Sequence, residues 1–457
     1  MELVKTSSFY QHDNNITSMP RNRTGGGEIE GSTSVMRLRR ELHRLRASPS
    51  HRLGAHITTA IRKPWRAPFL ILSLPFMMLM IGLELVGLKT QPKALQTNDA
   101  GREKSKGNCV VMFPTNGVGF GHFTRMLAIA KRMKQQDPSL EVIFFTTMPT
   151  LHLLKPYGIP AHYISGPKYF KGFESGDWNA LLEEELTLCL ETHNPSMFIF
   201  DGAFPYRGML RAIQGRDGLK KIWMRRGMFK KGAKIPVDSI QHFDSIIRPG
   251  DAISESTEEI AHGLEVLTSP PIVLLDKSEL LSREQARYRL GIPLDSRAIY
   301  VQLGAGHIND IESEIRYTIE SLTKHSDVYV IIGESLIGER IETTMSRVKV
   351  VKDYPNSIFF NAFDASVQAG GYNSFHETRK FGLPTLFFPN KNTGMDNQTA
   401  RCNVAVDEGW GIVLQSRSAS NVERSCAQLL ELIGIEANLQ IENGATYVAR
   451  ILLEEIK

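Results

Sequence analysis

The chain has 457 residues, 42% hydrophobic and 23% charged. That composition excludes a collagen-like, low-complexity or wholly disordered chain, and the length suits about two to three domains. The formal net charge is +5, but Met1 to Arg66 holds twelve Lys/Arg against five Asp/Glu, so the remainder is close to neutral. A basic tail sets the charge, and nucleic acid is not expected as a substrate of the folded part.

Residues 1–66 are polar, Arg-rich and poor in aromatics, with Gly25-Gly26-Gly27 and a Ser-Pro-Ser at Ser48–Ser50. This is the composition of a disordered tail, in which Arg37–Arg46 is either a short basic helix on a membrane surface or a solvated charge run. Ala67 to Leu88 follows, 22 residues with one charge, Glu84. A spanning helix needs about 20 apolar residues to cross roughly 30 Å of hydrocarbon, and Pro75 is tolerated in such helices. A single transmembrane helix over 67–88 is therefore expected. The larger Lys/Arg excess lies on its N-terminal side, which puts the tail in the cytoplasm. Residues 89–107 make a polar stem.

Asn108–Pro114 is a continuous apolar run, the pattern of a parallel strand buried on both faces. The loop Thr115–His122 carries Gly117, Gly119 and Gly121, and the residues that follow, to Gln136, have helical spacing. Glycines let another group approach the backbone, and a helix N-terminus attracts an anion. His122 and Arg125 at the helix start are residues that a core-facing loop would not carry unpaired. Further strands are expected at Glu141–Thr146, Met197–Asp201, Lys221–Arg225 and Ser245–Arg248. Strands alternating with helices imply a parallel sheet, whose ligands sit at the carboxyl ends of the strands. Asp201, Arg225 and Arg226 fall at such ends. This half is expected over 108–260, with Gly119, Gly121, Asp201 and Arg225 on its ligand side.

The pattern then restarts, with a second α/β half expected over 261–457. Strands are expected at Ala298–Leu303, Asp327–Ile332, Val348–Val351, Ser366–Ala369 and Thr385–Phe388. Gly304-Ala305-Gly306-His307 follows the first of them, and Gly370-Gly371-Tyr372-Asn373-Ser374 follows the fourth. Asn373 and Ser374 are good N-cap residues, and Glu377 one turn later is either a first-turn acid or an acceptor for a ribose diol. The four cysteines, Cys109, Cys189, Cys402 and Cys426, have neither C-x-x-C spacing nor a cluster that reads as a zinc site, and buried thiols are the simpler expectation.

Two of these features resemble the GT-B glycosyltransferases, and most closely glycosyltransferase family 28, which includes the bacterial peptidoglycan GlcNAc transferase and the plant galactolipid synthases. One is Gly119-Phe-Gly121-His122-Phe-Thr-Arg125. The other runs from Gly370-Gly371-Tyr372-Asn373-Ser374 with Glu377, through Gly382-Leu-Pro384, to Asp396-Asn397-Gln398. The resemblance covers Asn108 to the end and implies two Rossmann-like domains facing a cleft. It implies a nucleotide-sugar donor, with a UDP-sugar the expected one, and a glycan or lipid-linked acceptor. Gly370, Gly371, Asn373 and Ser374 would hold the pyrophosphate, Glu377 the ribose, and Asp396 and Gln398 the sugar, with Gly304 and Gly306 lining the cleft. His122 would be the general base, with Arg125 helping to stabilise the leaving diphosphate. No cofactor or bound metal is implied, and no Asp-x-Asp signature stands at a strand end. Two other readings stay open: a nucleotide-sugar hydrolase, since the same opening resembles a GT-B enzyme of pseudaminic acid synthesis, and a non-catalytic tethered binding module.

Overall fold

The computed structural model describes residues 5–7, 46–86, 88–89, 108–115, 119–170, 174–226, 237–253, 264–304, 311–334, 340–342, 344–391, 396–435 and 441–456. Two compact units emerge. One is a small helical unit within 12–104, and the other takes in residues 1–11 and 105–457.

In the small unit, helix α1 (Pro49–Arg62) and helix α2 (Leu70–Leu85) are joined by a 3-10 turn at Pro64–Phe69 and pack as a hairpin. The Arg52 guanidinium grips the Glu84 carboxylate with Nη1–Oε2 at 2.6 Å and Nη2–Oε1 at 3.3 Å, and His56 Nε2 meets Ser73 Oγ at 2.8 Å. Two expectations are corrected here. The tail is not irregular up to residue 66, because Ser48 caps α1, accepting from His51 N–H, and a helix follows over Pro49–Arg62. The apolar run is not one helix over 67–88. Pro68 stands inside the 3-10 turn, so α2 begins at Leu70 and has 16 residues, about 24 Å of rise. Among the described residues no helix is long and apolar enough to cross a membrane. Residues 37–45 and most of the stem lie outside the described residues.

In the larger unit, a parallel seven-stranded sheet has the order β4-β3-β2-β5-β6-β7-β8. Its strands are β2 (Cys109–Pro114), β3 (Glu141–Thr146), β4 (Ala161–Tyr163), β5 (Met197–Asp201), β6 (Lys220–Met224), β7 (Ser245–Pro249) and β8 (Glu265–Ser269). Helices α3 (Gly121–Gln136), α4 (Ser175–His193), α5 (Arg207–Ile213) and α6 (Val237–Ile240) connect them. Every residue of β2 and β5 is buried, as their unbroken apolar sequences require.

A second parallel sheet has the order β12-β10-β9-β13-β14-β15. It comprises β9 (Arg297–Gln302), β10 (Val328–Gly333), β12 (Val348–Val351), β13 (Ala365–Gln368), β14 (Thr385–Phe387) and β15 (Gly411–Val413). A short ribbon pairs β1 (Lys5–Ser7) with β11 (Arg340–Glu342). The helices of this half are α7 (Arg283–Leu290), α8 (Ile311–Leu322), α9 (Tyr372–Phe381), α10 (Gln398–Asp407) and α11 (Ala419–Glu431).

The boundaries at 260 and 457 both move. Strand β8 pairs with β7, so the first half runs to Ser269. The final helix, α12 (Gly444–Ile456), belongs by packing to the first half: Ala445, Val448, Ala449 and Leu452 join Met126, Ala130 and Met133 of α3 in one core. Chain order and core membership part company at this helix.

Candidate functional site

Both sheets have a topological switch point, where successive connections leave in opposite directions and open a crevice at the strands' carboxyl ends. In the first sheet it lies between β2 and β5, which pair Pro114 with Asp201. In the second it lies between β9 and β13, which pair Gln302 with Gln368. The glycine loops singled out from sequence follow β2, β9 and β13, so backbone topology alone brings them to the two crevices.

The first wall is built on the start of α3. His122 Nδ1 lies 2.7 Å from Asp201 Oδ1. Arg125 grips the same carboxylate, with Nε–Oδ2 at 2.9 Å and Nη2–Oδ1 at 2.6 Å. Asp201 is fully buried. Burial alone would raise its pKa, but Arg125 and then His122 outweigh that and hold the carboxyl below its ordinary range. Arg125 Nη2 also comes within 3.0 Å of His122 Nδ1. One ring nitrogen can serve only one of these groups, and a carboxylate is the stronger partner for an N–H. Proton placement on that basis gives Nδ1–H to Asp201 and leaves the lone pair on Nε2. The His122 side chain keeps 23% of its surface exposed, so the ring is not sealed in the core. An added methyl group at Gly119 or Gly121 would meet nothing within 4 Å. Arg225 is buried and its guanidinium lies 5.3 Å from the Trp223 ring centre.

The second wall is the start of α9. The N-cap is Gly371, not Asn373 or Ser374, and no side chain caps it. The first N–H groups of a helix lack intrahelical partners, and here they carry the positive dipole end into the crevice. A methyl group added to Gly371 would meet nothing within 4 Å, so open space lies above this backbone. Gly370 serves a different purpose. A Cβ there would come within 2.4 Å of Cys402 Sγ, so this glycine is needed for packing against α10 rather than for approach by a phosphate. Gly304 has φ +102°, a conformation that favours glycine, and Gly306 lies outside the described residues. Asn373 and Ser374 occupy the second and third helical positions, and Asn373 Oδ1 is buried without a partner. Glu377 accepts from Ser357 Oγ at 3.0 Å, and burial pushes its carboxyl up to about 7, the serine only partly offsetting this.

The two walls touch. The Arg125 guanidinium lies 5.5 Å from the Tyr372 ring centre, and the Arg226 guanidinium lies 5.2 Å from it. Thr124 Oγ1 meets Tyr354 Oη at 2.7 Å. Arg226 Nη1 lies 3.4 Å from Asp396 Oδ1. Arg401 of α10 binds Asp251, at the end of β7, through Nε–Oδ1 at 2.8 Å and Nη2–Oδ2 at 2.6 Å, and also Asp396 and the Gly370 carbonyl. His376 Nε2 is 3.3 Å from Asp251 Oδ1.

Asp396 and Gln398, expected at the donor sugar, are engaged with protein. Asp396 sits between Arg226 and Arg401, which overcome burial and lower its pKa. Gln398 Oε1 accepts from Asn390 N–H at 2.9 Å. The sequence reading missed Arg226 as the arginine that reaches across, and it missed Asp251, Arg401, Tyr372 and Tyr354. One signal was available, because Arg248-Pro-Gly-Asp251 stands at the carboxyl end of a strand, as Asp201 does.

Glu377 gives a pH expectation. A ribose diol donates two hydrogen bonds best to an ionised carboxylate. With the carboxyl raised to about 7, the ionised form is lost as pH falls through that value. UDP affinity measured by calorimetry should weaken by roughly three- to tenfold from about pH 8 to about pH 6. Glu377→Gln should flatten that dependence. An unchanged slope in the variant would remove Glu377 from the ligand site.

No family model matches the chain, and no curated protein does. Solved structures do match. One is the glycotransferase of kitacinnamycin, at 12% identity, covering 77% of this chain and 99% of that one, with a TM-score of 0.54. Another is described as a UDP-N-acetylglucosamine 2-epimerase from Listeria monocytogenes, at 12% identity, 76% and 94% coverage and a TM-score of 0.53. A third is S. aureus MnaA with UDP, at 12% identity, 77% and 96% coverage and a TM-score of 0.53. Identities this low carry fold and not reaction, and one fold hosts several chemistries. The likeness runs along nearly the whole of each of these chains, and with its two parallel sheets this protein has the GT-B fold.

Proposed function

We propose that the protein is a glycosyltransferase that moves a sugar from a nucleotide-sugar, with UDP as the nucleotide, to a glycan or lipid-linked acceptor, without a bound metal. The observation that carries this reading is the His122 imidazole, oriented by buried Asp201, in a wall that abuts the uncapped start of α9. A base and an anion-binding helix end brought together suit attack by a hydroxyl on a carbon that bears a diphosphate. His122 takes the acceptor proton, and the N–H groups from Gly371 to Ser374 hold the pyrophosphate. Glu377 takes the ribose, and Gly304 lines the crevice near the phosphates. Asp396 and Gln398 meet the donor sugar from the loop that Arg401 braces.

The tether is the apolar segment around α2. Ile71, Leu72, Phe76 and Leu79 are exposed large apolar residues on this helix, a surface that suits lipid better than water. Such a tether would concentrate the chain beside a membrane-bound acceptor, with the N-terminal tail on the cytoplasmic side.

One experiment tests both parts. Membranes from cells expressing the full chain should release nucleoside diphosphate from a UDP-sugar only when acceptor extract is added, and should label that acceptor. Deleting residues 67–88 should move the chain into the soluble fraction with the donor chemistry intact. Free sugar in the presence of abundant acceptor would replace the transferase with a hydrolase. An epimerised donor would replace it with an epimerase, and binding without turnover would leave a tethered binding module.

A further inference from the structure

We propose that His162, Cys189 and His193 form a binding site for a zinc-type divalent ion at the edge of the first sheet, apart from the crevice. Cys189 and His193 are four residues apart in the last turns of α4, so they share one face of that helix. His162 comes from β4, the edge strand. One ligand atom from each of the three lies within 4.8 Å of the other two. The two imidazoles already meet, with Nε2 to Nε2 at 2.8 Å. A tetrahedral zinc ion needs about 3.3 Å between ligand nitrogens and about 3.6 Å from nitrogen to sulfur, given bonds of about 2.0–2.3 Å. Parting the nitrogens by about 0.5 Å and drawing the most distant pair in by about 1 Å would meet that geometry, and both are small side-chain adjustments.

The surroundings fit the assignment. Glu141 Oε1 lies 3.9 Å from His193 Nδ1, longer than a hydrogen bond but beside the ring nitrogen that a metal at Nε2 would leave free. Cys189 is buried and His162 is exposed, so an ion can enter from solvent and keep water as a fourth ligand. Uptake forms one metal–sulfur bond and breaks the Cys189 S–H bond, releasing one proton to solvent. His162 pairs with Phe145 on the edge strand, and two strands, β3 and β2, stand between β4 and the strand that carries Asp201. The ion would clamp the edge strand to α4, a structural task separate from the crevice.

The test uses the full chain stripped with chelator and titrated with Zn²⁺ and with Co²⁺. The expected result is one ion per chain, a higher melting temperature and, with Co²⁺, a thiolate charge-transfer band. His162→Ala should weaken binding at least tenfold, Cys189→Ser should abolish the band, and Cys426→Ser should change neither. His162 lies on an exposed edge, so its variant tests the site even if Cys189→Ser fails to fold. Uptake and a band that survive His162→Ala and His193→Ala, or no uptake at micromolar Zn²⁺, would leave a hydrogen-bonded histidine pair and overturn the proposal.

Discussion

His122→Ala should lower the turnover number by about 10²–10⁴-fold, the usual contribution of a positioned general base, while donor affinity stays within a few-fold. The split between the two follows from geometry. His122 stands on the first wall, and the helix end and Glu377 proposed to receive the donor stand on the second. The proposed base is oriented before any substrate arrives. Asp201 is buried at the switch point, and Arg125 keeps it ionised against the pull of burial. Its Oδ1 fixes His122 Nδ1 at 2.7 Å, which presents Nε2 to a ligand. On the proposed reading, an acceptor hydroxyl at that nitrogen would lose its proton as it attacks, and the imidazolium would face an anionic partner already in place. Asp201→Asn should lower turnover as well, because an amide can favour the wrong ring tautomer. It also leaves Arg125 buried without its carboxylate, so a thermal melt must accompany the kinetics. His122→Ala has no such complication and is the sharper measurement. Steady-state turnover within threefold of wild type in His122→Ala would end the base assignment.

Much of this was legible in the sequence because a buried parallel sheet writes a strong signal. Cys109–Pro114 and Met197–Phe200 are unbroken apolar runs, and both are strands that lead into the crevice, the second directly to Asp201. Glycine punctuation then placed the crevice loops, since strand–glycine–helix is the local form that a switch point uses. The pairing across the crevice was not legible. Arg401 and Asp251 are 150 residues apart, and nothing in the sequence near Arg401 distinguishes it from a solvated helix arginine. Gly370 shows a subtler gap. Its sequence context marks a place where a side chain is not tolerated, but whether a phosphate or Cys402 forbids the side chain depends on the tertiary packing. Sheet-edge strands such as β4 and β8 were missed because they are half exposed and lack the continuous apolar pattern. The membrane segment failed on a boundary. Hydropathy counts residues from Ala67, whereas proline chemistry at Pro68 decides that the α-helix begins at Leu70.

Arg401→Ala should destabilise the larger unit by about 3–5 kcal/mol, the usual effect of leaving a buried partner charge uncompensated. Arg401 and Asp251 are both wholly buried. Two hydrogen bonds join them, and the same guanidinium reaches Asp396 and the Gly370 carbonyl. Arg401 therefore connects the end of β7 in the first half to the glycine turn and the 396–398 loop in the second. Removing it leaves Asp251 with the Ala252 N–H at 2.7 Å and the His376 ring at 3.3 Å but no cation, in a site where burial opposes an ionised carboxyl. Asp251 is held well below the ordinary carboxylate range in the folded chain, so its contribution is fully present above that range and is lost as pH falls from it toward the lower folded value. The variant should lose most of that acid sensitivity along with the stability. Combining Arg401→Ala with Asp251→Asn should cost less than the sum of the single changes, because the double variant no longer buries an unpaired charge. Chemical denaturation of all three variants at neutral and acidic pH separates these effects. Strict additivity, or a loss below about 1 kcal/mol in Arg401→Ala, would mean that water reaches Asp251 and the two halves are joined chiefly by other contacts, such as the Tyr372 hydroxyl on the Gly250 carbonyl at 2.9 Å.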